Sequence, residues 1–235
     1  MKKIILISFL FATILTSAKV TVVIAYTDNE IGTKNSISII ETKFSNIYKD
    51  LDIVKSCSLS RIKKGIINAN DTLIFIFQGH SNPVEDRYIK YFGNLLMWLD
   101  VGTTSIGNND EKVLTSKTLH FLLQHSNANK ILVIIDGCFP SLAYNPELYN
   151  VNWVFAADDK QVTMLYNRYS LFVHLFFKEL KKGITTEAVI DKVNDGYKLK
   201  KWYPQFNKNT QVICNEDKHK IDYPLMSINI SNFKF

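Results

Sequence analysis

Two short segments of this sequence join a chemically versatile side chain to a glycine at the end of an apolar run. The first is Gln78-Gly79-His80-Ser81, following the run 73–77. The second is Asp136-Gly137-Cys138, following the run 131–135, with the histidine and the cysteine 58 positions apart. A thiol becomes a strong nucleophile when a base or a cation holds it as thiolate, and an imidazole serves in both roles. Glycine beside each residue permits a sharp turn and close approach of a substrate backbone. Amides in such turns can stabilise the oxyanion of an acyl transfer; here those of Cys138 and of Gly79, His80 and Ser81 are placed to do so. Taken singly, a cysteine after a strand is more often a core thiol, and a histidine there more often structural. The coincidence of two such turns on two buried runs makes Cys138 the candidate nucleophile and His80 the candidate base.

The elements that must position them follow from periodicity. Residues 19–26, 71–77, 130–135 and 152–156 are β-branched or aromatic apolar runs of strand length, and 52–54 is a shorter one. Between them, residues 36–48 place Ile37, Ile40, Phe44 and Ile47 at helical spacing, and 59–68, 116–125, 169–180 and 185–193 read as further helices, with Gly183 a stop after the fourth. Residues 93–109 are poorly periodic and predict a loop; 210–214 is the best strand of the last forty residues. Apolar strands alternating with helices predict an α/β fold with a mainly parallel sheet covered on both faces, and in such sheets active sites gather at the carboxyl ends of the strands.

Composition narrows the class. Hydrophobic residues make up 46% and aromatics 12% of 235 residues, enough for one α/β core with a tail. The net charge of +6 is scattered, without an Arg/Lys stripe interleaved with aromatics, so no nucleic-acid partner is expected. Lys2, Lys3, the apolar run 4–15 and Thr16-Ser17-Ala18 read as a cleaved signal peptide over residues 1–18, too short a run for a spanning helix of about 20 residues. The expected compartment is therefore oxidising. Three cysteines, Cys57, Cys138 and Cys214, leave one thiol unpaired within the chain. A Cys57–Cys214 bridge, a bridge to a partner and free thiols all remain open. His120, His125, His174 and His219 lack companions at metal spacing, so no metal and no cofactor are expected. Asn70-Asp71-Thr72 and Asn229-Ile230-Ser231 are glycosylation sequons.

The two catalytic-type segments resemble those of the caspase-like cysteine peptidase clan, and among its families most nearly the catalytic subunit of the GPI-anchor transamidase, which is related to legumain. IFIFQGHSNP is similar to that family's strand and Gly-His turn, and Tyr88-Ile89-Lys90-Tyr91-Phe92 to the segment after it. Ile134-Ile135-Asp136-Gly137-Cys138 is similar to its cysteine motif, Phe155-Ala156-Ala157-Asp158 to the strand that follows, and Arg168-Tyr169-Ser170-Leu171 to a helix start. Asn29 and Asn35 keep the spacing of an N-terminal motif. The resemblance runs from about residue 19 to 180. Ser81 stands where the family has glycine, Glu30-Ile31-Gly32 replaces Tyr-Arg-His, and Phe139-Pro140 replaces small polar residues.

The resemblance implies a caspase-like three-layer sandwich, with a catalytic domain over residues 19–185 and a C-terminal tail, 186–235, packing on it. It implies Cys138 as nucleophile, His80 as base and Asn29 as the residue that orients the histidine. Gly79, Ser81 and Gly137 form the oxyanion and turn positions, and Asp136, Ala157 and Asp158 edge the substrate pocket. Asp136 has an equal claim to anchor its own turn. Cys57 matches a cysteine that bridges to a partner subunit. The implied function is transfer of a proprotein C-terminus to the ethanolamine of GPI through a thioester. The implied setting is the lumen of the endoplasmic reticulum, with other subunits of a membrane-bound complex as partners and proproteins and the GPI glycolipid as substrates. The alternatives are a secreted legumain-like or caspase-like endopeptidase and an inactive scaffold of the same fold.

Overall fold

The computed structural model describes residues 18–27, 31–83, 97–100, 113–157, 164–166, 169–198, 210–212, 227–229 and 233–235. A six-stranded sheet forms its centre. Strands β1 (Val20–Tyr26), β2 (Leu51–Ser56), β3 (Asn70–Gln78), β7 (Asn127–Asp136) and β8 (Val151–Phe155) are parallel. β12 (Ser227–Asn229) closes one edge antiparallel to β8, giving the order β12-β8-β7-β3-β1-β2. This is the mainly parallel α/β sheet that the alternation of apolar runs predicts.

Side chains alternate across the sheet with period two, and each face has its own core. On one face Val22, Ile24, Ile74, Ile76, Leu132, Ile134 and Val154 meet α1 (Ile31–Ile47), α4 (Leu171–Glu179) and α5 (Thr186–Lys198). On the other, Val23, Phe75, Phe77, Val133, Ile135, Trp153 and Phe155 meet α2 (Leu59–Ile67) and α3 (Ser116–Gln124). Three layers result, with β3 and β7 buried on both faces, which is why their sequences read as unbroken apolar runs. Phe233 and Phe235, at the far end of the sequence, lie in the first core against Phe44 and Phe176, and the Gly183 N–H donates to the Phe235 carbonyl at 2.7 Å.

Several elements differ from the periodicity reading. Met97–Asp100, inside the stretch predicted as loop, is strand β5; it pairs antiparallel with β4 (Ser81–Pro83) and β6 (Val113–Thr115). Its four residues carry no alternation because its partners, not its own pattern, hold it in place. The helix predicted over 169–180 starts at Leu171, capped by the Ser170 side chain, while Tyr169–Ser170 is strand β10, paired with β9 (Met164–Tyr166). β11 (Thr210–Val212) joins β9 in that small sheet rather than the central one. Helix α1 begins at Ile31, earlier than predicted, and β2 spans six residues. No helix among the described residues is long and apolar enough to cross a membrane.

Candidate active site

The sheet order places β2 on one side of β1 and β3 on the other, so the chain changes direction of winding at β1. Ligands of open α/β sheets bind at the carboxyl ends of strands beside such a reversal. β3 and β7 are hydrogen-bonded neighbours whose register pairs Gln78 with Asp136. His80 and Cys138 therefore each lie two residues past the same rung of adjacent parallel strands. Two segments 58 positions apart in sequence become neighbouring turns at one end of the sheet.

The turns are joined by specific bonds. The Gly79 N–H donates to the Asp136 carbonyl at 3.0 Å, and the buried Ser81 hydroxyl donates to the Cys138 carbonyl at 2.6 Å. The His80 N–H donates to Thr27 Oγ1 at 3.1 Å, so the end of β1 holds the histidine turn from its other side. Gly79 has φ of +153°, and a Cβ there would overlap Thr27 Oγ1. A Cβ at Gly137 would overlap Ser81 Oγ and come within 3.0 Å of the Gly79 carbonyl. Both glycines are required because backbones and hydroxyls of neighbouring turns occupy the space of a side chain.

These bonds occupy two of the turn amides. The amides of Gly79 and His80 are bonded to the Asp136 carbonyl and Thr27 Oγ1, so both hold the turn. Asp136 is 2% exposed, so its carboxylate is enclosed at the end of β7, while its backbone carbonyl takes the Gly79 N–H. Gln78, its register partner, is 1% exposed with Oε1 lacking a hydrogen-bond partner. Ala157, fully buried, follows β8. Asn29 and Asp158 lie outside the described residues. Thr27 is a site residue that sequence reading missed; a single threonine after a strand carries no signal, and its role arises only from the turn of β3 against it.

The sulfur of Cys138 differs from expectation. Cys138 is wholly buried and disulfide-bonded, and Cys57, after β2, is a half-buried free thiol. This rules out the Cys57–Cys214 bridge within the chain; Cys214 lies outside the described residues. The peptide after Cys138 is also unusual: Phe139 adopts φ 53° and ψ 42°, a left-handed conformation rare for an aromatic residue, before a 3-10 turn at Pro140–Ala143. Among the described residues no group of three His, Cys, Asp or Glu side chains gathers as a metal site.

His120 on α3 fixes the far end of that loop. One ring nitrogen, Nε2, lies 2.8 Å from the Ala143 carbonyl, and Nδ1 lies 3.3 Å from Asn145 Nδ2. Asn145 Oδ1 accepts from the Glu147 N–H at 2.9 Å, which sets the amide orientation. His120 is thereby held as the neutral tautomer with Nε2 protonated. Desolvation lowers its pKa, and the Ala143 hydrogen bond and the Glu147 charge oppose that shift.

No family model matches the sequence, and no curated protein matches it. Among solved structures it is similar to caspase-1 from Spodoptera frugiperda, at a TM-score of 0.48 and 12% identity, with 76% of each chain covered. Likeness at that level concerns the course of the backbone and bears on none of the chemistry.

Proposed function

We propose that the chain is a cysteine-dependent acyl-transfer enzyme of peptidase type, and that its specific role is the catalytic subunit of a GPI-anchor transamidase. The observation that carries the first part is the convergence of the His80 and Cys138 turns, tied by the Ser81–Cys138 and Gly79–Asp136 bonds. The sequence resemblance around both turns supports the second.

The disulfide at Cys138 adds a first step. A thiol reductant attacks that bond, becomes oxidised itself, and leaves the Cys138 thiol. His80 takes the thiol proton, and the thiolate attacks the carbonyl of the proprotein attachment residue. The tetrahedral oxyanion collapses as His80 protonates the departing amine of the C-terminal signal, leaving a thioester on Cys138. The ethanolamine amine of the glycolipid, deprotonated by His80, then displaces Cys138 and regenerates the thiolate. Partner subunits exclude water, present the glycolipid in the endoplasmic reticulum and hold the chain at the membrane; the free Cys57 is the thiol available to bridge to one of them.

The test is Cys138→Ala in the native host, with a GPI-anchored reporter followed by size and by phospholipase release. Accumulation of uncleaved, unanchored reporter is the expected result. Normal anchoring sinks the transamidase reading. Non-reducing electrophoresis of the same material reads the Cys57 bridge, which fails if Cys57 appears only at monomer size. Should anchoring be normal while the purified, reduced chain cleaves short peptides, the enzyme is the legumain-like endopeptidase. The burial and bonding of Cys138 favour one other reading, an inactive scaffold; a reduced Cys138 inert to thiol-directed electrophiles at neutral pH supports it.

A further inference from the structure

We propose that the Ser81 hydroxyl is a positioning group that holds the Cys138–Phe139 peptide in its left-handed turn, and through it the reactive geometry of Cys138. The inference deepens the functional reading above and rests on it. Two observations meet at one peptide unit. Its carbonyl, that of Cys138, accepts the Ser81 hydroxyl at 2.6 Å in a site where Ser81 is 1% exposed. Its other end is Phe139, at φ 53°. A bulky side chain leaves the left-handed region unless its surroundings over-determine it. The simplest relaxation is rotation of the Cys138–Phe139 peptide, which would swing the Cys138 carbonyl away from Ser81. The hydroxyl opposes that rotation, because a rotated peptide would leave a buried donor without its acceptor. Gly137 completes the fit, since only a residue without Cβ lets Ser81 Oγ come so close. Ser81 immediately follows His80, so the bond also sets the spacing of the histidine turn from the cysteine turn.

The pairing makes a prediction that packing alone does not. Loss of the hydroxyl matters because Phe139 resists the left-handed conformation. A residue at home there should make the hydroxyl dispensable. The experiment uses the full chain after reduction, with iodoacetamide as probe and mass spectrometry reading alkylation at Cys138 and, in the same molecule, at the free Cys57. Rates are taken across pH at a temperature where each variant is folded. Reduced Cys138 should react faster than Cys57. Ser81→Ala should slow Cys138 about tenfold and move the midpoint of its pH profile upward, because the cysteine turn is no longer tied to the histidine turn whose imidazole, on the functional reading, stabilises the thiolate. Ser81→Ala combined with Phe139→Gly should return the rate and midpoint toward wild type. Where Phe139→Gly leaves too little folded protein, Phe139→Asn replaces it, asparagine being tolerant of the same region. An unchanged midpoint in Ser81→Ala, or no recovery in the double variant, overturns the clamp while leaving the function reading intact. A wild-type Cys138 no faster than Cys57 overturns the function reading, and the clamp with it.

Discussion

Gly137 shows how little freedom a single residue has at this site. Its missing Cβ is the space taken by Ser81 Oγ, with the Gly79 carbonyl at 3.0 Å and Ser81 Cβ at 3.1 Å beyond it. None of these is the far end of a flexible side chain. Gly137→Ala should therefore push the two turns apart, at a stability cost of about 1–3 kcal/mol by urea unfolding, with a much larger fractional loss of the proposed acyl-transfer activity. An alanine variant with wild-type stability and activity would show that the turns can separate freely. At the same scale, the neighbouring turns that carry His80 and Cys138 were legible from type and position, because histidine and cysteine each follow a Gly at the end of an apolar run. The bonding state of Cys138 was not legible. Three cysteines in one sequence do not say which is left over, and the structure leaves Cys57 free.

Among the elements, α3 and the loop that follows β7 are coupled through His120. The ring accepts from Asn145 at Nδ1, and the Glu147 amide fixes which end of Asn145 faces it. A protonated ring would turn a donor toward that donor. Burial lowers the folded-state pKa below the ordinary value of 6.5, so between the two values the unfolded chain binds the extra proton. The sign follows: His120 adds stability above pH about 6.5, which is lost as pH falls from there through the lowered folded value. Thermal unfolding followed from pH 7.5 downward should show this loss, and His120→Gln should remove that component of the pH dependence. A wild-type profile flat across the window would contradict the assignment. The strands β3 and β7 were readable because burial on both faces writes itself as an apolar run. β5 was not, since its conformation is imposed by pairing with β4 and β6. Thr27 escaped for a related reason: the His80 amide it accepts comes from a turn 53 positions away.

For the whole molecule, the last residues described are part of the interior. Phe235 is 6% exposed and packs edge-on to Phe176 at 6.3 Å between centroids and tilted to Phe44 at 6.4 Å. It joins the first helical layer, α1, to the second half of the chain. Phe235→Ala should cost about 3–5 kcal/mol, read as a lower urea midpoint with an unchanged slope. A loss below about 0.5 kcal/mol would mean that the aromatic cluster forms without it. The alternation of unbroken apolar strands with helical segments made the three layers legible. The contribution of Phe233 and Phe235 was not, because two aromatic residues in a polar tail have no period of their own.

The position of β12 has a bearing on synthesis. Val151–Phe155 has its outer edge covered by Ser227–Asn229, a segment made long after it. During translation the parallel strands can assemble in order, yet the β8 edge presents unpaired amides and carbonyls until Ser227–Asn229 has been made. Such an edge is a template for strand addition by any other nascent chain. Covering this edge therefore waits for a segment made well after the strand it protects, and the Asn229-Ile230-Ser231 sequon begins within that segment.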